Sequence, residues 1–436
     1  MRQVLNWHSW QFRRWSLKLH QLGERRVTKS RLDGADGLRA FACFLVVFHH
    51  ISHQSSVPGV GPGPDWLVPF VSNGGYGVVI FFVLSGFLLG RPFWVALDAG
   101  DRYPSIRTYL LRRFARITPG FLVALTGSLI IALLYGQTTA SPDTALRFFL
   151  GATYLSAFVP FAIFPVEVNG PLWSISYEVW AYLFMPLAFL LIFATPTVRS
   201  KTVGRWALWL AVILAAVLLH IAYMHFVPKP DRPDFLLEEF TLRRLGDGWA
   251  QRFSVFGMFA IFAIGVLAAA IQFQCSEFKG MWADVVALAC LTVAIWICFD
   301  FGRPGNPTAT MDGVFGLPYN QFPLFPALVG GFLATAPSSR FVGSLLDIQP
   351  MRYLSTISFG IYIYHMPLLF IVSHALFGPD QIAQTDADIA MMTGILLAAT
   401  IAVAHLSWHR LEKPAIEWAR QLERRKPREG ARKEAF

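Results

Sequence analysis

The sequence predicts an all-α polytopic membrane protein with about ten transmembrane helices and one further re-entrant or interfacial segment. Its composition is the first reason, because 55% of the 436 residues are hydrophobic, 15% are charged, and the mean hydropathy is +0.47. A soluble globule needs a more polar surface than this composition supplies. The second reason is that the apolar residues form long continuous runs without two-residue alternation, which excludes a transmembrane β-barrel.

Ten apolar runs are each close to the roughly 20 residues with which a helix crosses a bilayer. They cover residues 38–53, 76–97, 117–135, 170–193, 205–226, 253–273, 282–300, 319–336, 353–376 and 389–410. An eleventh apolar run, at 146–165, is interrupted by Gly151, Pro160 and Pro165. The number of crossings therefore depends on whether this run spans the membrane.

The distribution of Lys and Arg decides between the two topologies, because cytoplasmic loops are enriched in both. If 146–165 does not cross, the segments predicted to be cytoplasmic hold 30 of the 37 Lys and Arg residues. If it crosses, every later loop moves to the opposite side of the membrane, and the basic C-terminal tail lies outside. We therefore predict that 146–165 is re-entrant or interfacial and that both termini are cytoplasmic.

One large domain is predicted between two basic segments. Residues 1–31 form a basic segment that is cytoplasmic or interfacial, residues 32–415 form the transmembrane domain, and residues 416–436 form a basic cytoplasmic tail. The net charge of +10 is concentrated in the termini and short loops, so it indicates topology and not nucleic-acid binding. The four cysteines lack CxxC spacing, so neither a metal site nor a disulfide framework is predicted.

The first predicted helix carries an arginine and two histidines in an apolar segment, where ionisable groups are costly and are therefore functional candidates. Arg39 and His50 are eleven residues apart, which places them about 20° apart around a helix and about 16 Å apart along its axis. His49 points about 100° away. Because histidine exchanges a proton near neutral pH, His50 is a candidate general base. A packed histidine bonded to a backbone carbonyl and a transporter's proton relay are the alternatives.

Arg113 and Arg116 lie at i and i+3 on one face of a helix that enters the membrane. Such a pair can hold a phosphate or diphosphate through charge-assisted, bidentate hydrogen bonds. The alternative is that both arginines only anchor the helix at the cytoplasmic surface.

Three more polar side chains interrupt predicted spans. Glu178 lies about two turns into the fourth helix and needs a partner there, so it either orients a histidine, binds a substrate hydroxyl or forms a buried ion pair with an arginine. Ser85 precedes Gly86, where small residues let helices approach closely, and a helical serine commonly bonds its own i−4 carbonyl. His365 lies in the ninth helix, after Tyr362 and Tyr364.

Six short elements follow one another between residues 31 and 415. They read ADGLRAFACFLVVFHH, GVVIFFVLSGFLLGR, RRFARITPGF, PLWSISYEVWAYLFMP, ISFGIYIYHMPL and RLEKP. In this order and approximate spacing they resemble the acyltransferase-3 family of membrane O-acyltransferases. Each element alone is weakly specific, whereas six in register are specific.

The resemblance implies a ten-helix membrane domain that uses cytosolic acyl-CoA as a co-substrate, without a permanently bound cofactor. The family's Arg-x10-His pattern falls on Arg39 and His50, and its Arg-x-x-Arg pattern falls on Arg113 and Arg116. Glu178 belongs to the LWSxSxE element. The other matching positions, interpreted as substrate-binding or supporting residues, are Asp36, Ser85, Trp173, Ser174 and His365.

These observations predict an enzyme of a bacterial-type inner membrane that transfers an acyl group, with acetyl expected, from acyl-CoA to a hydroxyl of a surface or exported glycan. His50 and Glu178 are the predicted catalytic residues, and Arg39, Arg113 and Arg116 are predicted to hold CoA. The predicted partners are acyl-CoA, the carbohydrate or other hydroxyl-bearing acceptor, and the bilayer. The alternative is a transporter with an intramembrane His/Arg/Glu site, which predicts inverted repeats and paired broken helices; neither is visible in the sequence.

Overall fold

The computed structural model describes residues 32–52, 71, 73–226, 253–275, 279–301, 321–379 and 383–424. Within these ranges the chain is helical and contains no β-strand. The helices of eleven or more residues are α1 (Ala35–Ser52), α2 (Tyr76–Asp98), α3 (Ile106–Leu134), α4 (Pro142–Ala152), α5 (Trp173–Ala194), α6 (Thr202–Phe226), α7 (Val255–Cys275), α8 (Met281–Phe301), α9 (Leu324–Thr335), α10 (Gln349–Phe377), α11 (Asp386–Ser407) and α12 (Lys413–Arg424). The predicted segment 1–31 and residues 425–436 lie outside the described residues.

Each of the ten predicted spans contains a helix, and in the described part of the chain eight helices are long and apolar enough to cross a membrane. The fold class predicted from the sequence, an all-α polytopic membrane protein, is therefore confirmed. The two other spans differ from the rest for physical reasons. Helix α1 has 18 residues but carries Asp36, Arg39 and two histidines, and α9 has only 12 residues.

The segment predicted not to cross enters the bundle and returns. Helix α4 has 11 residues and is followed by short 3₁₀ turns. The hydroxyl of Tyr154 donates to Oγ1 of Thr118 at 3.0 Å, and Thr118 lies 16 residues before the end of α3, or about 24 Å along its axis. Farther on, Asn169 Nδ2 donates to Ser128 Oγ and to the Ile363 carbonyl, both at 2.9 Å. These contacts favour the re-entrant over the interfacial interpretation of the segment.

The Asn169 contact also sets the depth of α5. Ile363 is the midpoint of the 29-residue helix α10, so the chain entering α5 is held at mid-depth in the bundle. The first two turns of α5, which carry Ser174 and Glu178, consequently lie near the centre of the membrane domain.

Two glycines let α2 and α7 approach backbone to backbone. A Cβ atom added to Gly86 would lie 2.0 Å from the Phe262 carbonyl oxygen, and one added to Gly265 would lie 1.9 Å from the Val83 carbonyl oxygen. Neither distance is compatible with a side chain, so close approach depends on both glycines. This confirms the packing interpretation of the small residues near Ser85.

Several helix ends meet at one end of the bundle, which we call the basic face and define as the end where α1 begins. Arg205 at the start of α6 pairs with Asp98 at the end of α2, and Arg199 Nη2 donates to the Gly100 and Asp101 carbonyls at 3.1 and 2.7 Å. Helix α1 is fixed there because the Gly37 amide donates to Asp347 Oδ1 at 2.7 Å.

At the C-terminal end of the domain the structure contains a helix that the sequence analysis did not predict. A π-helical turn, Trp408–Glu412, joins α11 to α12. Helix α12 extends into the segment predicted as a basic tail, so residues 416–424 are helical. Its Glu423 carboxylate accepts from Arg112 Nε at 2.8 Å and from Nη2 at 2.6 Å, which ties α12 to α3.

Candidate active site

A cavity of about 1090 Å³ lies between the helices at the basic face. Its walls come from α1, α2, α3, α5, α10, the π-helical turn and α12. Exposed side chains of α12 and the exposed Arg112 form its mouth. The cavity wall carries seven basic and three acidic side chains, so it favours an anionic ligand. The basic members are Arg39, Arg112, Arg113, Arg116, Lys413, Arg420 and Arg424.

Three of these arginines, which we call the inner arginines, are Arg39, Arg113 and Arg116. None of them forms an ion pair with a described residue, whereas Arg147 pairs with Glu167 and Arg205 with Asp98 elsewhere in the fold. The Nε atom of Arg113 is a buried donor with no hydrogen-bond partner among the described residues. The guanidinium of Arg116 lies over the Trp408 ring, 5.7 Å from its centroid, and this contact orients it.

A group of hydroxyls and one carboxylate forms the inner end of the cavity. Oε1 of Glu178 accepts from Ser85 Oγ at 2.6 Å and from the Tyr182 hydroxyl at 2.5 Å. Beside it, the hydroxyls of Ser174 and Tyr362 are 2.7 Å apart, and both reach the Pro171 carbonyl at 3.1 Å. Sequence reasoning missed Tyr182, although it follows Glu178 by four residues and therefore lies on the same helix face.

Two histidines from different helices meet beyond this group. Nδ1 of His50 lies 2.8 Å from the Val46 carbonyl and 3.3 Å from Nε2 of His365. Nδ1 of His365 lies 2.6 Å from the Tyr362 carbonyl. Because a carbonyl oxygen only accepts, Nδ1 carries the hydrogen in both neutral rings. Nε2 of His365 therefore accepts from His50, and Nε2 of His50 holds the lone pair that can take a proton.

The two histidines do not line the cavity. Phe81 and Tyr362 do line it, with ring centroids 5.7 Å apart, and the Tyr362 ring lies 6.0 Å from that of His365. We call Phe81 and Tyr362 the aromatic pair. It separates the arginine-lined cavity from the histidines, and Tyr362 contacts both sides.

The structure brings the predicted residues together as two groups. Arg39, Arg113, Arg116, Ser85, Ser174 and Glu178 share the cavity, and His50 and His365 form the second group. Glu178 does not hydrogen-bond a histidine among the described residues, as one of its predicted roles required. Its hydrogen bonds come from Ser85 and Tyr182. The expected ion pair of Glu178 with an arginine is not formed within the described residues either.

Two predicted supporting residues lie outside the cavity. Asp36 Oδ1 accepts from Ser355 Oγ at 2.8 Å, so it joins the start of α1 to α10. Trp173 packs its ring against Phe253, with centroids 4.4 Å apart. The structural alternative for Ser85, a bond to its own i−4 carbonyl, does not describe its hydroxyl, which donates to Glu178. Sequence reasoning also missed α12, although its apolar and charged residues fall on opposite faces of a helix.

The fold and the site together define a helical membrane protein with a cavity on one face that is lined mostly by basic side chains and has a polar group at its inner end. A family model described as an acyltransferase domain matches residues 32–409. The chain belongs to the acyltransferase-3 family, as its six sequence elements predicted.

Three similar proteins carry different names. Peptidoglycan O-acetyltransferase OatA of Listeria monocytogenes serovar 1/2a is 24% identical over 406 residues, which cover 89% of this chain and 56% of the relative. Nodulation protein 10 of Rhizobium leguminosarum bv. viciae is 25% identical over 400 residues, covering 88% and 92%. Acyltransferase MdmB of Streptomyces mycarofaciens is 30% identical over 195 residues, covering 44% and 46%. The chain spans about half the length of the peptidoglycan O-acetyltransferase that it matches.

Proposed function

We propose that this protein transfers an acyl group, with acetyl expected, from acyl-CoA to a hydroxyl of a carbohydrate in a surface or exported glycan. The observation that carries this proposal is the cavity at the basic face, whose three inner arginines lack ion pairs within the described residues. The three side chains are half-buried, and the two buried arginines elsewhere in the fold, Arg147 and Arg205, are both paired. A ligand with phosphate groups supplies the missing partners.

The donor enters from the basic face in this proposal. The positive-inside distribution supports a cytoplasmic location for that face, and acyl-CoA is a cytosolic thioester. Arg39, Arg113 and Arg116 bind the CoA diphosphate through charge-assisted hydrogen bonds, and the buried Nε of Arg113 is one of the donors. The thioester end of the flexible pantetheine arm then points toward Ser174, Glu178 and the aromatic pair.

The acceptor is deprotonated by His50. Its hydroxyl oxygen forms a bond to the thioester carbonyl carbon, the hydroxyl proton passes to Nε2 of His50, and the carbon–sulfur bond breaks. The CoA thiolate leaves and recovers the proton, so His50 returns to its neutral form. The imidazolium that forms in between is stabilised by the Val46 carbonyl and by Nε2 of His365, which both accept from Nδ1. His365 is therefore a positioning residue.

The aromatic pair separates donor and acceptor in this scheme. Arg39 and His50 lie on one face of α1 about 16 Å apart along its axis, with the inner arginines on the cavity side and the histidines on the other. The glycan hydroxyl approaches from the face opposite the basic face. For the thioester carbonyl to reach the acceptor in this mechanism, the side chains of Phe81 and Tyr362 must move apart. Glu178, held by Ser85 and Tyr182, fixes the polar wall beside this passage.

A carbohydrate acceptor is supported by the name of one relative, the peptidoglycan O-acetyltransferase OatA of Listeria monocytogenes. The proposal is tested with full-length protein in membrane vesicles supplied with radiolabelled acetyl-CoA. Label in the glycan fraction, together with loss of O-acetyl signals from surface polysaccharide of a deletion strain by NMR, is the expected result. Absence of CoA binding and of any CoA-dependent transfer would contradict it.

A further inference from the structure

One face of α12 lines the outer part of the cavity. The residues of this face are spaced three or four apart, as neighbours on one side of a helix are. They are Lys413, Ile416, Glu417, Arg420, Glu423 and Arg424. From the first to the last the face extends about 16 Å along the helix axis. The cavity therefore has a second charged wall, on α12.

Two arginines on this face keep their charge available to a ligand. Two acids on this face, Glu417 and Glu423, are each three residues from Arg420 in the sequence. Both oxygens of Glu423 accept from Arg112, at 2.8 and 2.6 Å, and Glu417 forms no ion pair with a described residue. Neither Arg420 nor Arg424 forms an ion pair or hydrogen bond with a described residue. Like charges at i and i+4 destabilise an isolated helix, so an anion between these two side chains would remove a repulsion.

The Arg112–Glu423 pair also holds this face in place. It connects α12 to α3, the helix that carries two of the inner arginines. The inner arginines and the Arg420–Arg424 pair therefore line the same cavity from two helices, joined through Arg112, which precedes Arg113 in the chain. A ligand that satisfies both must carry two separate anionic groups.

We propose that Arg420 and Arg424 bind the 3′-phosphate of coenzyme A, while the inner arginines bind its diphosphate. This inference rests on the proposed function and adds donor selectivity to it. The ribose 3′-phosphate is at the end of the molecule remote from the thioester, as Arg420 and Arg424 are remote from Glu178. The enzyme therefore selects thioesters of coenzyme A over thioesters that lack this phosphate, including those of dephospho-CoA and of phosphopantetheine.

The test compares equilibrium binding of CoA and 3′-dephospho-CoA to the detergent-purified full chain. We expect the wild-type protein to bind CoA about tenfold more tightly or better, because hydrogen bonds between charged groups are worth about 1.5 to 3 kcal/mol. The double variant Arg420→Gln/Arg424→Gln should bind CoA only as tightly as dephospho-CoA. Its affinity for dephospho-CoA should equal that of the wild type, which also shows that it is folded.

Arg410→Gln is the matched control, because Arg410 is exposed near the start of α12 and does not line the cavity. It should retain the full preference for CoA. Equal wild-type affinities for the two ligands would overturn the 3′-phosphate site while leaving the proposed function intact. A double variant that weakens both ligands equally would also overturn it, in favour of a general electrostatic effect. Failure of the wild type to bind either ligand would contradict the proposed function and this inference together.

Discussion

The imidazole of His50 is held by contacts that fix which nitrogen carries the hydrogen. Val46 supplies a carbonyl one helical turn away at 2.8 Å, and His365 supplies Nε2 at 3.3 Å. Both contacts act on Nδ1, so the ring can rotate little while Nε2 keeps its lone pair. A base that must accept a proton from an approaching hydroxyl benefits from this arrangement, because its tautomer is set before the substrate arrives.

His50→Ala is expected to lower kcat about 10² to 10⁴-fold, the usual contribution of general base catalysis. His49→Ala is its control, because His49 points about 100° away from His50 on α1. Steady-state transfer and CoA binding should be measured for both variants. We expect CoA affinity to stay near the wild-type value in both, since neither histidine lines the cavity. Equal loss of activity in the two variants would contradict the base assignment.

The wild-type rate should also rise with pH through the range in which an imidazole loses its proton, because only the neutral ring accepts one. The measurement is kcat/KM against pH for the wild type and for His365→Ala. If His365 positions His50, the variant should lose kcat across the whole pH range while its KM for acetyl-CoA stays near the wild-type value, since His365 does not line the cavity. A rate that is flat from pH 5 to about pH 8 would exclude an imidazole base.

Arg113→Ala tests the phosphate role of an inner arginine. Its loss is expected to raise the apparent KM for acetyl-CoA roughly tenfold or more, at about 1.5 to 3 kcal/mol for a charged hydrogen bond. The kcat at saturating donor should change little, because the phosphates are remote from the reacting carbonyl. Arg107→Ala is the matched control on the same helix, since Arg107 is exposed and does not line the cavity. Unchanged KM for Arg113→Ala would favour simple anchoring.

Residue-level prediction succeeded where helix geometry alone decides the answer. Arg113 and Arg116 share a helix face because they are three residues apart, and the structure places both on the cavity wall. The contact between His50 and His365 was not predictable in this way. The two residues are 315 positions apart, and their meeting depends on how α1 packs against α10. The bond of Glu178 to Ser85 depends similarly on the packing of α5 against α2. The bond to Tyr182 is local to α5, because Tyr182 follows Glu178 by four residues.

At the level of single elements, the packing of α2 against α7 is the most constrained contact near the site. Gly86 follows Ser85 directly, so any displacement of α2 moves the hydroxyl that bonds Glu178. The space at Gly86 is closed by the backbone of α7 and not by a movable side chain. The position of Ser85 is therefore set by helix packing.

Gly86→Ala is expected to destabilise the protein by about 1 to 3 kcal/mol, as overpacking of a filled interior does. Gly127→Ala is the control, because nothing lies within 4 Å of a Cβ atom added to Gly127 in the described structure. That change should be neutral or slightly stabilising, since alanine favours the helix. The measurement is the temperature at which detergent-purified protein loses its monodisperse elution peak. Equal midpoints for the two variants would show that α2 and α7 tolerate a wider separation.

Element boundaries were less predictable than element existence. The apolar run 117–135 located α3, but the helix begins at Ile106, where the Ser105 side chain accepts from the Thr108 amide at 3.3 Å. Hydropathy cannot register a helix that extends beyond the apolar run into a charged segment. The same limitation hid α12, whose mixed apolar and charged residues were interpreted as a tail.

For the whole molecule, the re-entrant segment decides how the two faces of the bundle are assigned. Residues 142–165 enter and return, so α3 and α5 run in opposite directions with no crossing between them. The basic face consequently collects the ends of α2, α5 and α11 and the starts of α3, α6 and α10. The charge distribution predicted this arrangement because each additional crossing would have moved every later basic loop to the other side.

Cysteine accessibility at two exposed positions tests this topology and the side from which the donor enters. Gln137 follows α3, and Lys201 precedes α6. In a variant without the native cysteines, Gln137→Cys should react with a membrane-impermeant maleimide in intact cells. Lys201→Cys should react only in inverted vesicles. If residues 142–165 crossed the membrane, both positions would be labelled from the same side. Reversed labelling of the two positions would place the arginine-lined cavity outside the cytosol, where it has no access to acyl-CoA.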